Sequence, residues 1–549
     1  MRGRQHVALV RLLHCQPHGT PAGHSAAQAC VSHRNHTGDR NTVLWPRNAV
    51  PGTVYAARLL LAVAAATLAL PGTARGQHDL SGVRANVEDW WKTAANVAPG
   101  NWGIAIADEQ GNIIWSVAPN EPLVPASTVK LFTTGFARSV LGGDATRPTR
   151  IVGSGWIAPE TGTWVGPWAL ELNGDVTLGR GSAGGPSLQH LARQLRASGV
   201  RRLTGPLVLR SVTGEANATW PEVWASRHRG RTFAPLVGPV TLNENVVSFT
   251  VKPGTAAGRR VILTRTAPEG ISSLVRITAT TYTGRRNRLR FTAQADGTFL
   301  ISGTLGTRAG SRSFHAPSTK PEIVVRAVWG GALAEAGIEW QEKGFTTPAS
   351  DAPMHVLAEV TSPSLDSVAS EVNRRSLNIG AELLLQWAAG RGPEAPRALT
   401  DHVHAIAGAD APVHLVDGSG LSNQDRVAPA TFVQYLAQFP LTQGGRNFSQ
   451  LLPANGSGTL KRLRMGLPEL GVVRAKTGTL NDVATVVGYL GRPDGVLLVS
   501  LMYNGKRTSA ARQQQWALFR TLGADGVAIP SLSDTLPTEE VQLGGDESR

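Results

Sequence analysis

Residues 125–137 read Pro125-Ala-Ser-Thr-Val-Lys-Leu-Phe-Thr-Thr-Gly-Phe-Ala137. The spacing predicts a helix that starts near Ala126. Positions i and i+3 share a helix face, so Ser127 and Lys130 are neighbours. A serine hydroxyl is a poor nucleophile until a base takes its proton. A lysine one turn on can be that base if its amine is neutral, which burial or a neighbouring cation favours by lowering its pKa. Ser127 at the helix start also places its own backbone N–H toward a developing oxyanion. Alone, an S-x-x-K pair is equally compatible with a solvated helix face, so the rest of the chain has to decide.

Working outward, two apolar runs precede this helix, Trp102–Asp108 and Asn112–Val117. They are separated by Glu109-Gln110-Gly111, a hairpin signal. A second hairpin is expected near the C-terminus, where Asp482–Leu490 and Val496–Tyr503 flank Arg492-Pro-Asp-Gly495, with a helix at Ala510–Leu522. Between these ends the character changes. Short β-rich runs at Val237–Val251, Val261–Thr266, Leu274–Tyr282, Arg288–Phe291, Thr298–Gly303 and Glu322–Arg326 alternate with Gly, Pro and Arg turns. Helical patterns interrupt them at Ser187–Ser198 and Ala327–Ala336, and helix returns at Leu365–Arg374 and Ile379–Ala389. The fold class expected is α/β in the α+β sense. Antiparallel strands and helices form the outer parts, 77–148 and 346–530, and a mainly-β insert occupies 149–345.

The chain has 549 residues, 41% hydrophobic and 17% charged, which is enough apolar material for large cores and excludes a wholly disordered chain. Gly (61) and Pro (34) are abundant but follow no Gly-X-Y period, so collagen is excluded. The net charge of +15 would suggest an anionic partner, but +7 of it falls in residues 1–76 and no basic patch accompanies the rest. A nucleic-acid partner is therefore not expected. The two cysteines, Cys15 and Cys30, both lie in that first segment, so no disulfide framework is possible beyond it.

Residues 59–70 form a twelve-residue apolar run after Arg58, followed by Pro71, Gly72 and Ala74. It is too short for a comfortable span and has the shape of a signal-peptide core. Residues 55–76 are read as a signal peptide, which predicts export to the periplasm or cell envelope. Membrane contact is expected only through this segment if it is uncleaved. Residues 1–54 contain six His, and the Cys15–His18 and Cys30–His33 gaps resemble zinc spacing. They have no apolar period to fold around a metal, so low complexity, or translation from an upstream start that is not the true one, is expected in place of a metal site. Residues 531–549 are polar and acidic and are read as a disordered tail.

Two further motifs join the first. Ser376-Leu-Asn378 lies between two predicted helices, where Ser376 could relay a proton and Asn378 could hold a substrate amide. Lys476-Thr-Gly-Thr479 is placed just before the strand that starts the last hairpin. There Gly478 removes a side chain where substrate must approach, and Lys476, Thr477 and Thr479 offer donors for a carboxylate. Each motif alone has a plain reading as a cap or turn. S-x-x-K, S-x-N and K-T-G in this order are the signature of penicillin-binding proteins and serine β-lactamases. The flanks Asp417-Gly-Ser-Gly-Leu-Ser422 before Ala428-Pro429, Leu452-Pro453 before Gly456-Ser-Gly-Thr-Leu460, and Leu242-Asn-Glu-Asn-Val-Val247 narrow it. Residues 77–530 resemble the class C low-molecular-mass penicillin-binding proteins, the D-alanyl-D-alanine carboxypeptidase/endopeptidases of peptidase family S13. The 249 residues from Ser127 to Ser376 resemble that subgroup, in which extra domains interrupt the transpeptidase-like domain.

The resemblance implies a serine carboxypeptidase/endopeptidase of peptidoglycan stem peptides and cross-links. Ser127 would be the nucleophile, Lys130 its base, Ser376 and Lys476 a proton relay, and Asn378 the holder of the acyl-side amide. Lys476, Thr477 and Thr479 would hold the terminal carboxylate and Gly478 would leave room for the bound substrate, with β-lactams bound covalently and no cofactor or metal. The alternatives are a β-lactamase or esterase on the same fold, and a non-catalytic wall-binding protein. The sequence departs from the family pattern in three places. Gly184-Gly-Pro-Ser-Leu188 lacks an Asp, Arg210 stands where Asp is usual, and Asn423 and Asp425 stand where Arg and Asn are common.

Overall fold

Alternation along the strands builds the central sheet. In Asn101–Ala107, Trp102, Ile104 and Ile106 face one apolar cluster while Ala105 and Ala107 face another. Successive side chains on a strand point to opposite faces, so both faces of this sheet are covered. The first cluster is closed by the helices Ser81–Val97 and Thr508–Leu522. The second is closed by Val129–Leu141 and Pro429–Gln438. The computed structural model describes residues 80–180, 185–343, 354–463 and 466–529. The expectations for residues 1–54, the apolar run, Cys15, Cys30, Gly184 and the tail 531–549 lie outside the described residues.

The sheet has five strands, in the order Ile113–Val117, Asn101–Ala107, Gly495–Asn504, Val483–Arg492, Val473–Leu480, with every neighbouring pair antiparallel. Both hairpins read from the sequence are there. Lys476-Thr-Gly-Thr479 is not a turn before a strand, as the sequence suggested. It lies inside the strand Val473–Leu480, at the edge of the sheet. The short polar run hides a strand whose inner residues, Val473 and Ala475, are fully buried.

The inserted part has its own apolar cluster, gathered around Leu191, Phe249, Phe299 and Trp329. Its strands form small sheets, several with parallel neighbours. The strand Pro148–Gly153 pairs antiparallel with His355–Thr361, Thr149 opposite Val360. The chain therefore leaves and returns side by side, and the long gap between Ser127 and Ser376 closes in space. The expected strand at Glu322–Arg326 is instead the start of one helix, Pro321–Glu335. Pro321 sits at its first turn, where a missing N–H does no harm. Val324, Val325, Val328, Trp329, Ala332 and Leu333 are buried at helical spacing, and this packing overrides the β-branched run Ile323-Val-Val325. Of Val237–Val251, only Val246 onward is strand; Asn243–Asn245 form a tight turn with positive φ at all three residues.

Candidate active site

Ser127 lies in a short 3-10 turn, Ala126–Thr128, that runs into the helix Val129–Leu141. The turn is tight enough to hold Ala126 at φ 51°, a left-handed conformation rare for a residue with a side chain. It is pinned through the Pro125 carbonyl, which accepts from Thr128 Oγ1 and Thr485 Oγ1, each at 2.7 Å. Two glycines make room for it. A Cβ on Gly420 would stand 1.9 Å from the Ala126 carbonyl oxygen, and one on Gly478 would stand 2.9 Å from Ser127 N and 2.6 Å from the Pro125 oxygen. The space at Gly478, read from the sequence as room for substrate, is claimed first by the serine turn. It also shows that the edge strand runs directly past Ser127.

Lys130 is fully buried. Its Nζ stands 3.0 Å from Ser127 Oγ, 2.7 Å from Asn378 Oδ1 and 2.5 Å from the Ser419 carbonyl oxygen. Burial pushes its pKa down to about 8, against the upward pull of Asp417, Glu382 and Asp425. Asn378 opens the helix Asn378–Ala389 and donates its Nδ2 to the Phe233 carbonyl at 2.8 Å, a contact with the insert.

Ser376 ends the helix Leu365–Arg375 in the left-handed conformation, φ 59°. Its Oγ accepts from Lys476 Nζ at 2.9 Å, and the same amine donates to the Thr477 carbonyl at 2.7 Å. Lys476 is fully buried, and burial, with help from the Lys130 and Arg512 charges, holds its pKa well below the usual lysine range. Thr477 is buried and Thr479 exposed. Ala475 N donates outward, to the Pro453 carbonyl. By strand alternation the N–H groups of Thr477 and Thr479 face the same open edge.

The structure thus brings together all eight residues singled out in the sequence. Ser127, Lys130 and Asn378 form one hydrogen-bonded group, Ser376 and Lys476 a second, and Thr477, Gly478 and Thr479 the strand between them and solvent. Sequence reasoning missed their supports. Asp417 accepts from the backbone N–H groups of Ser419, Gly420 and Ser422, from Ser419 Oγ and from Trp224 Nε1 of the insert, and so shapes the loop that holds Lys130. Glu382, at the second turn of the Asn378 helix, accepts from Gly418 N. Arg512 reaches from the last helix to the Gly478 and Thr485 carbonyls and Thr479 Oγ1. Glu244, inside the insert motif, pairs with Arg375 and Arg180, and Arg180 also pairs with Glu371. The quoted motif Asp417–Ser422 carried a signal for the loop; nothing local marks Arg512.

Among the described residues no group of three or more His, Cys, Asp or Glu side chains is placed to hold a metal ion. No described helix is long and apolar enough to cross a membrane. A hydroxyl held against a buried amine, beside an edge strand whose Thr477 and Thr479 N–H groups point outward, is an arrangement able to transfer an acyl group.

The chain matches the model of the D-Ala-D-Ala carboxypeptidase 3 (S13) family over residues 83–523. It belongs to that family, serine-type hydrolases of the penicillin-binding-protein kind. It is similar to the D-alanyl-D-alanine carboxypeptidase of Actinomadura sp. (strain R39), 28% identical over 431 residues covering 73% of this chain and 77% of that one. It is also similar to a carboxypeptidase of Mycobacterium tuberculosis, 26% identical over 395 residues, 71% of this chain and 72% of that one. In fold it is similar to penicillin binding protein 4 of Haemophilus influenzae, with TM-score 0.63 and 21% identity, covering 78% of this chain and 98% of the other.

Proposed function

We propose that this chain is an exported serine D-Ala-D-Ala carboxypeptidase with endopeptidase activity on D-Ala cross-links, working through an acyl-enzyme on Ser127 and trapped there by penicillin. The observation that carries this reading is the set of three oxygens around Lys130 Nζ. Two of them, Asn378 Oδ1 and the Ser419 carbonyl, can only accept. A neutral amine has two N–H donors and one lone pair. With both donors given to those oxygens, the lone pair is left for the Ser127 proton. Ser127 Oγ then attacks the carbonyl carbon of the terminal peptide bond as Lys130 takes that proton. The C–N bond breaks, and the proton that Lys130 took is relayed through the Ser376–Lys476 pair to the leaving amine, which returns Lys130 to its neutral form. Water, attacking the same carbon, releases the acyl group and restores Ser127. The N–H groups of Ser127 and Thr479 serve the oxyanion, each worth about 3 kcal/mol. Asn378 keeps one Nδ2 hydrogen beyond its bond to Phe233 for the acyl-side amide.

Because the neutral lysine is the active form, acylation by penicillin should rise with pH through about 8 and fall below it as Lys130 takes up a proton. Stopped-flow acylation across pH measures this. A rate flat through that range would remove Lys130 as base. Thr477, Thr479 and Arg512 line the carboxylate end, since Arg512 donates to Thr479 Oγ1 at 3.2 Å. A charge-assisted bond to a carboxylate is worth about 1.5–3 kcal/mol, so acyl-D-Ala-D-Ala should be cleaved roughly tenfold to a hundredfold faster than its terminal amide. Arg512→Gln should narrow that ratio by raising KM for the acid. Equal kcat/KM on acid and amide in the wild type would return the strand to a structural role. Export predicts a mature chain beginning between about Arg75 and Gln77. N-terminal sequencing of envelope protein tests it, and a chain retaining residues 1–54 there would overturn it.

A further inference from the structure

Asp425 has entered so far only as a charge that raises the Lys130 pKa, yet it is fully buried 8 positions after Asp417 in the loop behind Lys130. Its Oδ1 accepts from Val416 N at 2.8 Å. Its Oδ2 is equally buried and has no donor among the described residues. A buried carboxylate oxygen without a donor is a large penalty. Asp417, another acceptor in the same loop, acts on it both through its charge and through a side-chain hydrogen bond, each favouring a proton on Asp425. Asp417 already takes five donors from the loop and from Trp224. Two carboxylates in contact do not both stay ionised in a buried site; one keeps a proton.

We propose that Asp425 is a positioning residue that carries a proton on Oδ2 and donates it to Asp417, locking the loop whose Ser419 carbonyl holds Lys130. A protonated aspartate then does the work of an amide, accepting with one atom and donating with the other. Of the remaining charged groups around it, Glu382 pushes in the same direction, and Lys130 carries no charge in its active form. Glu382 approaches from the helix Asn378–Ala389, and Lys130 from the nucleophile helix. The paired residues His414 and Arg426 of the flanking two-stranded ribbon are exposed, and Arg426 spends its guanidinium on the Asn423 and Asp425 carbonyls. No described cation therefore pairs with the Asp425 carboxyl. Burial first, and then the Asp417 charge, push its pKa well above the usual carboxylate range.

Ionising Asp425 has two effects of the same sign. It sets two negative charges against each other in the loop, and it adds a carboxylate charge that raises the Lys130 pKa. The second effect moves the rising limb of the acylation rate to higher pH. The first, by unsettling the loop that holds Lys130, should make the rate fall again once Asp425 is ionised. This rests on the reading of Lys130 as base, whereas the location of the proton does not, so two measurements are needed. The first is the pH profile of acylation by penicillin for the wild type, Asp425→Leu and Asp425→Asn. Leucine should lower the rate at every pH by about tenfold, the loss expected when a buried hydrogen bond is broken and its partner stranded. Asparagine should restore the rate at neutral pH and move the alkaline fall upward or abolish it. An Asn variant as slow as the Leu variant, or an alkaline fall unchanged in it, overturns the proposal. The second measurement is infrared spectroscopy of the wild type carrying isotope-labelled aspartate. It should show a protonated aspartic acid at neutral pH that is absent from Asp425→Asn, and the wild-type spectrum stands even if a variant does not fold. A spectrum with every aspartate ionised at neutral pH also overturns it.

Discussion

Ser127→Ala is expected to give a folded protein that forms no covalent adduct with penicillin. Removing an activated nucleophile removes the whole covalent route, a loss of about a millionfold in a comparable serine hydrolase. The fold should survive because little else depends on the hydroxyl. Ser127 Oγ bonds Lys130 Nζ, and that amine keeps Asn378 Oδ1 and the Ser419 carbonyl when Ser127 is lost. One hydrogen bond of this kind contributes about 1 kcal/mol. The turn itself is held by the Pro125 carbonyl and by close packing against Gly420 and Gly478, none of which the substitution touches. Intact mass after incubation with penicillin, followed by peptide mapping, gives the answer. Wild type should gain one adduct on the peptide containing Ser127. Ser376→Ala should still be labelled, more slowly, because Ser376 serves the leaving group rather than the attack. Full labelling of the Ser127→Ala protein would sink the assignment, and an adduct moved to Ser376 would exchange the two roles.

What could be read from the sequence was whatever is written locally. The hairpins around Glu109-Gln110-Gly111 and Pro493-Asp494 carry their turn residues between alternating apolar runs, and both formed. The helix after Ser187 carries its own cap, with the Ser187 hydroxyl accepting from His190 N. Ser127 and Lys130 are three apart on one turn, so their contact follows from helix geometry. Where local preference and packing disagree, packing won. Ile323-Val-Val325 reads as strand, but Trp329 and Leu333 one and two turns on bind it into a helix against the insert's core. The supports of the site were illegible for another reason. Trp224 reaches Asp417 across 193 positions and Arg512 reaches Gly478 across 34, and no spacing rule connects residues so far apart. The contact of Asn378 with Phe233 has the same character and joins the insert to the catalytic group. The insert is thus part of the wall of the site, a role that its β-rich composition could not reveal.

Gly420→Ala should be the most damaging single methyl group near the site, with acylation slowed by about a hundredfold. Gly420 adopts φ +71°, and a Cβ there would lie 1.9 Å from the Ala126 carbonyl oxygen and 2.4 Å from its carbon. Both are backbone atoms, so no side-chain rotation relieves the clash; either the serine turn or the loop 417–422 has to move. The loop is not free to yield, because Gly420 N donates to Asp417 at 2.6 Å and the adjoining Ser419 carbonyl holds Lys130. Displacement on either side pulls Ser127 and Lys130 apart. A shift of about 1 Å in a reacting group is enough for a loss of this size. The left-handed backbone adds an expense of its own, about 1–2 kcal/mol for a residue with a side chain. Gly390 separates the two effects. It ends the helix Asn378–Ala389 at φ +78°, but a Cβ there meets nothing within 4 Å. Gly390→Ala should therefore lower the melting temperature while leaving the acylation rate at the wild-type value. Gly420→Ala should lose both stability and rate. Thermal melting and penicillin acylation on the two variants make the comparison. A Gly420→Ala protein that melts lower but acylates like wild type would show that the loop and the serine turn are not mechanically joined.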